Sequence, residues 1–215
     1  MDESNRKARI PVQKRGIETR DRIIEAAMEL VSEKGYYKTG VPEIASRAGM
    51  ATGTFYSYFN DKKEVLLAGV ERFYRDVTRQ VLSAAGAIEA AGKNGRDFIH
   101  ALLRAFYAAH AIHPRLHREL SALILLDRDV EELNRREEEK AHQLIRSLLE
   151  DHGSILSVED LDAASFILLR ITDEIIHRLQ FFDPPVGEDR VLGELEEMLC
   201  RYLLRELGSR KTGEG

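Results

Sequence analysis

The 215-residue sequence predicts an all-α protein. Apolar residues recur at helical spacing along nearly the whole chain. No stretch sustains the apolar/polar alternation of a half-buried strand, and no hairpin signature separates two such stretches. A content of 43% hydrophobic against 32% charged residues, with five prolines, supplies a core and argues against long disordered tracts.

The first helix is expected to begin near Thr19, an N-cap residue type. Ile23, Ala27, Leu30 and Val31 then form one apolar face. Gly35 ends it, because glycine takes the left-handed C′ conformation at least cost. Val41, Ile44, Ala45 and Ala48 make one face of a short helix with Pro42 in its first turn, where a missing N–H costs nothing. Gly49 turns the chain, and a second short helix follows within about three residues, with Phe55 and Phe59 inward. Asn60 or Asp61 caps a long helix, answered by Glu64, and Leu66, Val70, Phe73, Val77 and Val81 form its stripe. The glycine-broken segment from Ala84 to Gly95 reads as a frayed end and a loop.

Beyond Asn94, the pairs Phe98/Ile99, Leu102/Leu103 and Phe106/Tyr107 give a wide apolar face until Pro114 forces a break. A short helix carrying Leu116, Leu120, Leu123 and Ile124 follows. A longer one over 129–152 has a front half of solvated charge and is closed by Gly153. Ser157 with Asp160 resembles a further helix start, and that helix reaches Phe182. The last helix, about 188–207, places Val191, Leu195, Met198 and Tyr202 on one face, with Leu192, Leu199 and Leu203 beside it. The expected organisation is a flexible basic arm (1–17), a three-helix helix-turn-helix domain (18–63), a helical regulatory and dimerisation domain (64–207) and a disordered tail (208–215).

Two short helices joined by a glycine turn are the signature of a helix-turn-helix, whose second helix enters the major groove of double-stranded DNA. Thr54, Ser57 and Tyr58 share a side that no core requires, and their hydroxyls can donate to phosphates or base edges. Small residues at Thr52, Gly53 and Thr54 let the helix start press into the groove, with its free N–H groups near phosphate. A buried helix-turn-helix used only for packing is the competing reading. Charge permits the DNA reading without requiring it. Residues 1–63 carry 12 Lys and Arg against 9 Asp and Glu, while residues 64–215 carry 20 against 28.

The order of residues is more specific than the spacing. Gly35-Tyr36, Thr39, Ile44-Ala45, Ala48-Gly49, Gly53-Thr54-Phe55-Tyr56, Tyr58-Phe59, Lys62 and Glu64 occur in one run. This run, over about residues 18–70, resembles the DNA-binding domain of the TetR family of repressors. The resemblance implies phosphate contacts from Thr54, Tyr56 and Lys62, and base contacts from Thr52, Gly53, Ser57 and Tyr58; Thr39 and Gly40 complete the expected DNA-facing set. It also implies a homodimer, a small-molecule effector and no cofactor. Two positions depart from the family pattern: Gly40 stands for a usual Ser or Thr, and Ala51 for the usual capping Ser. Thr52 is expected to take over the cap. Pro42, where the family is often polar or basic, leaves the first short helix reading little sequence. The leading RKARIPVQKRG segment, with five Lys and Arg in eleven residues, suits either an arm on phosphates or in a minor groove, or a solvated tail.

In the larger region, helix 158–182 carries more apolar residues than one face can hold. With helix 188–207 and their two-fold mates it predicts a four-helix dimer bundle, burial within a large monomer core being the alternative. Phe106, Tyr107, Leu123, Phe166, Arg170, Asp173 and His177 are the candidate lining of a small-molecule pocket. Arg170 bonded to Asp173 or Glu174 within the helix, or a polar spot in the dimer seam, fits the same residues. His110, His113 and His117 are expected to be surface histidines rather than a metal site, since Pro114 splits them and no cysteine or carboxylate completes a set. Cys200, the only cysteine, is expected to be an inert core thiol in a reducing cytoplasm. The first ten residues hold no apolar stretch and predict no signal peptide. No apolar run approaches the roughly 18–20 residues of a membrane span. The metalloprotease, phosphate-loop, nucleophile-elbow and dinucleotide motifs are absent, so no enzyme is expected.

Overall fold

The computed structural model describes residues 13–90, 94–111, 114–182 and 185–205. Among these the regular elements are α-helices: α1 (Lys14–Lys34), α2 (Val41–Arg47), α3 (Thr52–Phe55), α4 (Lys62–Ala90), α5 (Gly95–Ala111), α6 (Pro114–Leu126), α7 (Arg128–Asp151), α8 (Leu161–Phe181) and α9 (Glu188–Leu203). None is long and apolar enough to cross a membrane. A 3₁₀ turn spans Gly153–Ile155, and Leu156 pairs with Leu204 in an isolated antiparallel bridge.

Local chemistry explains the helix boundaries. Gly35 has a positive φ of 86° and its N–H bonds the Val31 carbonyl at 2.9 Å, closing α1. The Asp61 carboxylate accepts the Glu64 N–H at 2.8 Å, so Asp61 is the cap of α4, while the Glu64 carboxylate reaches back to accept the Asn60 N–H at 2.7 Å. Asn94 accepts the N–H groups of Arg96 and Asp97 ahead of α5, and Asp160 accepts that of Ala163 in the first turn of α8.

Four expectations are corrected. Helix α1 begins at Lys14, so the last residues of the expected arm are helical, and Thr19 is not its cap. The Thr19 hydroxyl instead donates to the Arg15 carbonyl one turn back, which an interior threonine can do. Ala84–Ala90 continues α4, because a run of alanines favours the helix enough to carry Gly86. Ser157 does not open α8. Its N–H and hydroxyl bond the Leu203 and Tyr202 carbonyls at the end of α9. Helix α9 ends at Leu203, where the chain leaves the helix to bridge Leu156. The rest of the expected arm and the 208–215 tail lie outside the described residues.

The chain divides into two compact units. The first comprises α1–α3, α4 through Arg75, α6, and α7 through Glu137; the second comprises the remainder of α4 and α7 with α5, α8 and α9. In this division α6 and the front of α7 group with α1. In the first unit, Ile23, Ala27, Ile44, Phe55 and Phe59 bury themselves in one cluster. A second cluster joins Val31, Tyr36 and Leu66 to Leu116, Leu120, Leu123, Val130 and Leu133. The second unit has its own core, built from Ile99 and Leu103 of α5, Ala164, Leu168 and Ile176 of α8, and Leu195, Leu199 and Leu203 of α9.

Candidate nucleic-acid interface and effector cavity

The turn between α2 and α3 is set by Gly49, whose φ of 71° lies in the left-handed region. The Gly49 N–H bonds the Ser46 carbonyl, and Met50 N–H reaches back to Ala45. Helix α3 is a single turn, extended by bonds from Ser57 N–H to Thr54 and from Tyr58 N–H to Phe55. Phe55 and Phe59 are fully buried, and burying such side chains contributes roughly 1.5–3 kcal/mol each. Their burial orients the rest of the turn outward. Gly53, Thr54, Tyr56 and Ser57 are exposed. Thr52 is half-buried, and Tyr58 packs partly against the Phe55/Phe59 cluster. A Cβ placed on Gly53 would meet nothing within 4 Å, so that face is open.

Three expected DNA-facing residues are placed differently. Thr39 is only 3% exposed, and its hydroxyl donates to the Gly35 carbonyl at 2.9 Å. It closes the loop after α1. Lys62 turns its ammonium inward, donating to the carbonyls of Tyr36 and Thr39 at 3.0 Å each, 4.4 Å from the Tyr36 ring centroid. Thr52 is the first residue of α3 rather than its cap. Ala51 holds the extended N-cap position with no side-chain bond. Gly40, the N-cap of α2, has an ordinary φ of −119°, and its N–H donates to the Glu43 carboxylate at 3.3 Å. Sequence reasoning passed over Tyr37, which is 67% exposed and edge-on to Tyr36 beside the same loop. An aromatic doublet after a helix-ending glycine was the available signal.

Ion pairs fix α2 to α1. Arg47 reaches Glu33 at 2.9 Å and Glu29 at 3.2 Å, and Lys34 pairs with Glu43. The Arg47 hydrogen bond holds the Glu33 carboxyl below its ordinary range, as Lys34 holds that of Glu43. These pairs are exposed and contribute little individually.

The second unit contains a cavity of about 140 Å³. Phe98, Leu102 and Phe106 of α5 line it with Ile145 of α7 and Leu169 of α8, and its polar contributors are few, among them Thr172 and His152. His152 stacks on Phe98 with ring centroids 4.3 Å apart and bonds the Leu148 carbonyl through Nδ1. Gly95 closes one end, since a Cβ there would stand 2.8 Å from both Ile155 and Leu204.

Of the seven expected pocket residues, this cavity takes only Phe106. Leu123 lies in the core of the first unit. Phe166 is 54% exposed on α8, beneath the Arg170 guanidinium. Arg170 pairs with Glu138 of α7, which links α8 to another helix. The Tyr107 phenol is pushed up to about 12 by burial and by its bond to Glu188. Asp173 and His177 meet each other, with Asp173 Oδ1 3.4 Å from His177 Nε2. Cys200 is buried as expected, and burial pushes its thiol up.

Comparison with known proteins now decides the family. Residues 23–68 match the family described as bacterial regulatory proteins, tetR family, and residues 96–203 match the tetracyclin repressor-like C-terminal domain. The chain belongs to the TetR family.

The chain shares short stretches of sequence with curated regulators. Over 46 residues, 21% of this chain and 24% of the relative, it is 46% identical to the fatty acid metabolism regulator protein of Bacillus subtilis. The chain spans about a quarter to a third of the length of the curated relatives it matches. Solved structures extend the likeness to the whole TetR fold. A TetR-family transcriptional regulator from Mesorhizobium loti superposes with a TM-score of 0.77 at 18% identity, covering 90% of this chain and all of that one. The fatty acid degradation regulator FadR from Bacillus halodurans gives 0.67 at 22% identity, covering 89% and 97%. At these identities the likeness is one of fold.

Proposed function

We propose that this chain is a homodimeric repressor that binds a palindromic operator through residues 52–58 and releases it when an apolar small molecule enters the second unit. The observation that carries the reading is the outward face of the α3 turn. There Thr54, Tyr56 and Ser57 stand exposed above two fully buried phenylalanines. Hydroxyls on a rigid, shallow protrusion suit a major groove, with Thr54 and Tyr56 on phosphate and Gly53, Ser57 and Tyr58 nearest the bases. Lys62 has spent two donors on carbonyls, and its third N–H is the one left for a phosphate.

Dimerisation through α8 and α9 is supported by the apolar side chains they leave exposed. Phe166 and Ile167 of α8 are 54% and 40% exposed, and Met198 and Tyr202 of α9 are 44% and 39%. The lining of the cavity supports an effector with an aliphatic or aromatic body, such as an acyl chain, and the fatty-acid names of two relatives favour the same class.

The test is retardation of DNA flanking the protein's own gene, measured at moderate salt against competitor DNA, with and without medium-chain acyl compounds. Specific retardation relieved by one of them is expected. Failure to retard flanking DNA above competitor contradicts the local-repressor reading, and retardation indifferent to every apolar compound contradicts the effector assignment.

A further inference from the structure

The second unit brings together three metal-ligating side chains that the DNA and effector readings leave unused. His110, expected at the surface, is 4% exposed on α5. Its Nε2 lies 3.5 Å from Asp173 Oδ1, and the same carboxylate oxygen lies 3.4 Å from His177 Nε2 on α8. The two imidazole rings stand 5.6 Å apart. The carboxylate that sequence reasoning could not find comes from a helix more than sixty residues away.

These separations are too long for good hydrogen bonds, which run to about 3.2 Å. They match another geometry. Zinc–nitrogen bonds of about 2.0–2.1 Å and zinc–oxygen bonds of about 2.0–2.2 Å, set at tetrahedral angles, leave ligand atoms about 3.3–3.5 Å apart. Both edges that meet at Asp173 Oδ1 fall in that interval.

The orientation of His110 is set from behind. Its Nδ1 lies 2.9 Å from the Phe106 carbonyl, which can only accept, so Nδ1 carries a proton. In the neutral ring Nε2 then presents a lone pair to a carboxylate oxygen. A divalent cation seated between that lone pair and the carboxylate oxygen would be attracted to both. A histidine whose far nitrogen is bonded to a backbone carbonyl is also the usual support for a metal-bound imidazole. On α8, Gln180 continues the face of Asp173 and His177. Its amide donates to the Tyr107 carbonyl at 3.0 Å, while its buried Oε1 has no hydrogen-bond partner among the described residues.

We propose that His110, Asp173 and His177 form a binding site for a divalent transition metal of the zinc class, joining α5 to α8. Two imidazoles and one carboxylate suit Zn²⁺, Co²⁺ or Ni²⁺ and are poor for Mg²⁺ or Ca²⁺, which demand more oxygen donors. The three residues leave at least one coordination position to water or another donor. Phe106 borders the cavity and also holds His110, so the metal would stiffen one wall of the effector site.

The test uses the full-length, tag-free chain stripped with chelator and titrated with Co²⁺ and Zn²⁺. The expected result is one Co²⁺ per chain, with the intense visible absorption of a four- or five-coordinate site, displaced by stoichiometric Zn²⁺ and unaffected by excess Mg²⁺. Asp173→Asn and His177→Gln should each weaken binding at least tenfold, whereas His100→Ala, at an exposed histidine of α5, should leave it unchanged. Long-range proton–nitrogen spectra of the wild type should show Nε2 of two histidines shifted by Zn²⁺, a readout that needs no variant. Absence of stoichiometric Co²⁺ binding overturns the proposal, as does binding that survives in both variants.

Discussion

Lys62 holds Tyr36 at two points, with its ammonium 3.0 Å from the Tyr36 carbonyl oxygen and 4.4 Å from the ring centroid. A second bond to the Thr39 carbonyl pins the whole loop between α1 and α2. Hydrogen bonds from a charged donor contribute about 1.5–3 kcal/mol. Lys62→Met, which keeps the apolar stem, should therefore lower unfolding stability by about 1–3 kcal/mol in urea titrations. It should also reduce the salt slope of DNA binding by about one. A reduced slope with unchanged stability would show that the carbonyl bonds contribute nothing.

Gly69 decides how closely α4 approaches α1. A Cβ built there would overlap Met28 Sδ and stand 2.8 Å from its Cγ, an overlap that reaches the middle of the side chain. Helix propensity alone favours Gly69→Ala by about 1 kcal/mol. Overpacking costs about 1–3 kcal/mol, and should win. Gly69→Ala is thus expected to destabilise, and Met28→Ala should make the same change favourable in a double-mutant cycle. Stabilisation by Gly69→Ala in the presence of Met28 would contradict the contact.

Asp127 links acid stability to the start of α7. Burial by itself raises its carboxyl, but the Lys63 ammonium at 3.0 Å and the N–H groups of Val130 and Asp129 outweigh it, leaving the group below its ordinary value of 3.8. A carboxyl lowered on folding contributes stability that is present in full above its unfolded value and is lost as pH falls through the folded one. Between about pH 5 and pH 3 the wild type should lose stability more steeply than Asp127→Asn, which retains an N-capping oxygen. Parallel curves for the two proteins would rule out this contribution.

The exposed apolar residues of α8 and α9 supply the prediction for assembly. Phe166→Glu and Met198→Glu each place a charge where the proposed two-fold bundle would bury it, at a cost of several kcal/mol per unpaired ion. Sedimentation should show a dimer for the wild type and a monomer for the double variant, with helical content retained because both side chains are solvent-exposed within the chain. A variant that remains dimeric places the interface elsewhere.

The helices were legible in the sequence because periodicity and capping are local. Asp61 with Glu64, Gly35 and Asp160 declare their boundaries within one turn of chain, and Phe55 with Phe59 mark the inner side of the helix-turn-helix by their spacing alone. The ordered residues from Gly35 to Glu64 were enough to point to the TetR family. What the sequence left undecided is which partner each face meets. Periodicity shows that Leu123 is buried, yet only packing places it in the core beneath α1 rather than at a ligand. Thr39 and Lys62 have the right chemistry for DNA, but the loop after α1 folds back and bonds both through carbonyls that no side-chain pattern records, leaving Lys62 one N–H. His110 lies far along the chain from Asp173, and the pairing of α5 with α8 alone turns a scattered histidine and a one-turn Asp–His pair into a single three-ligand cluster.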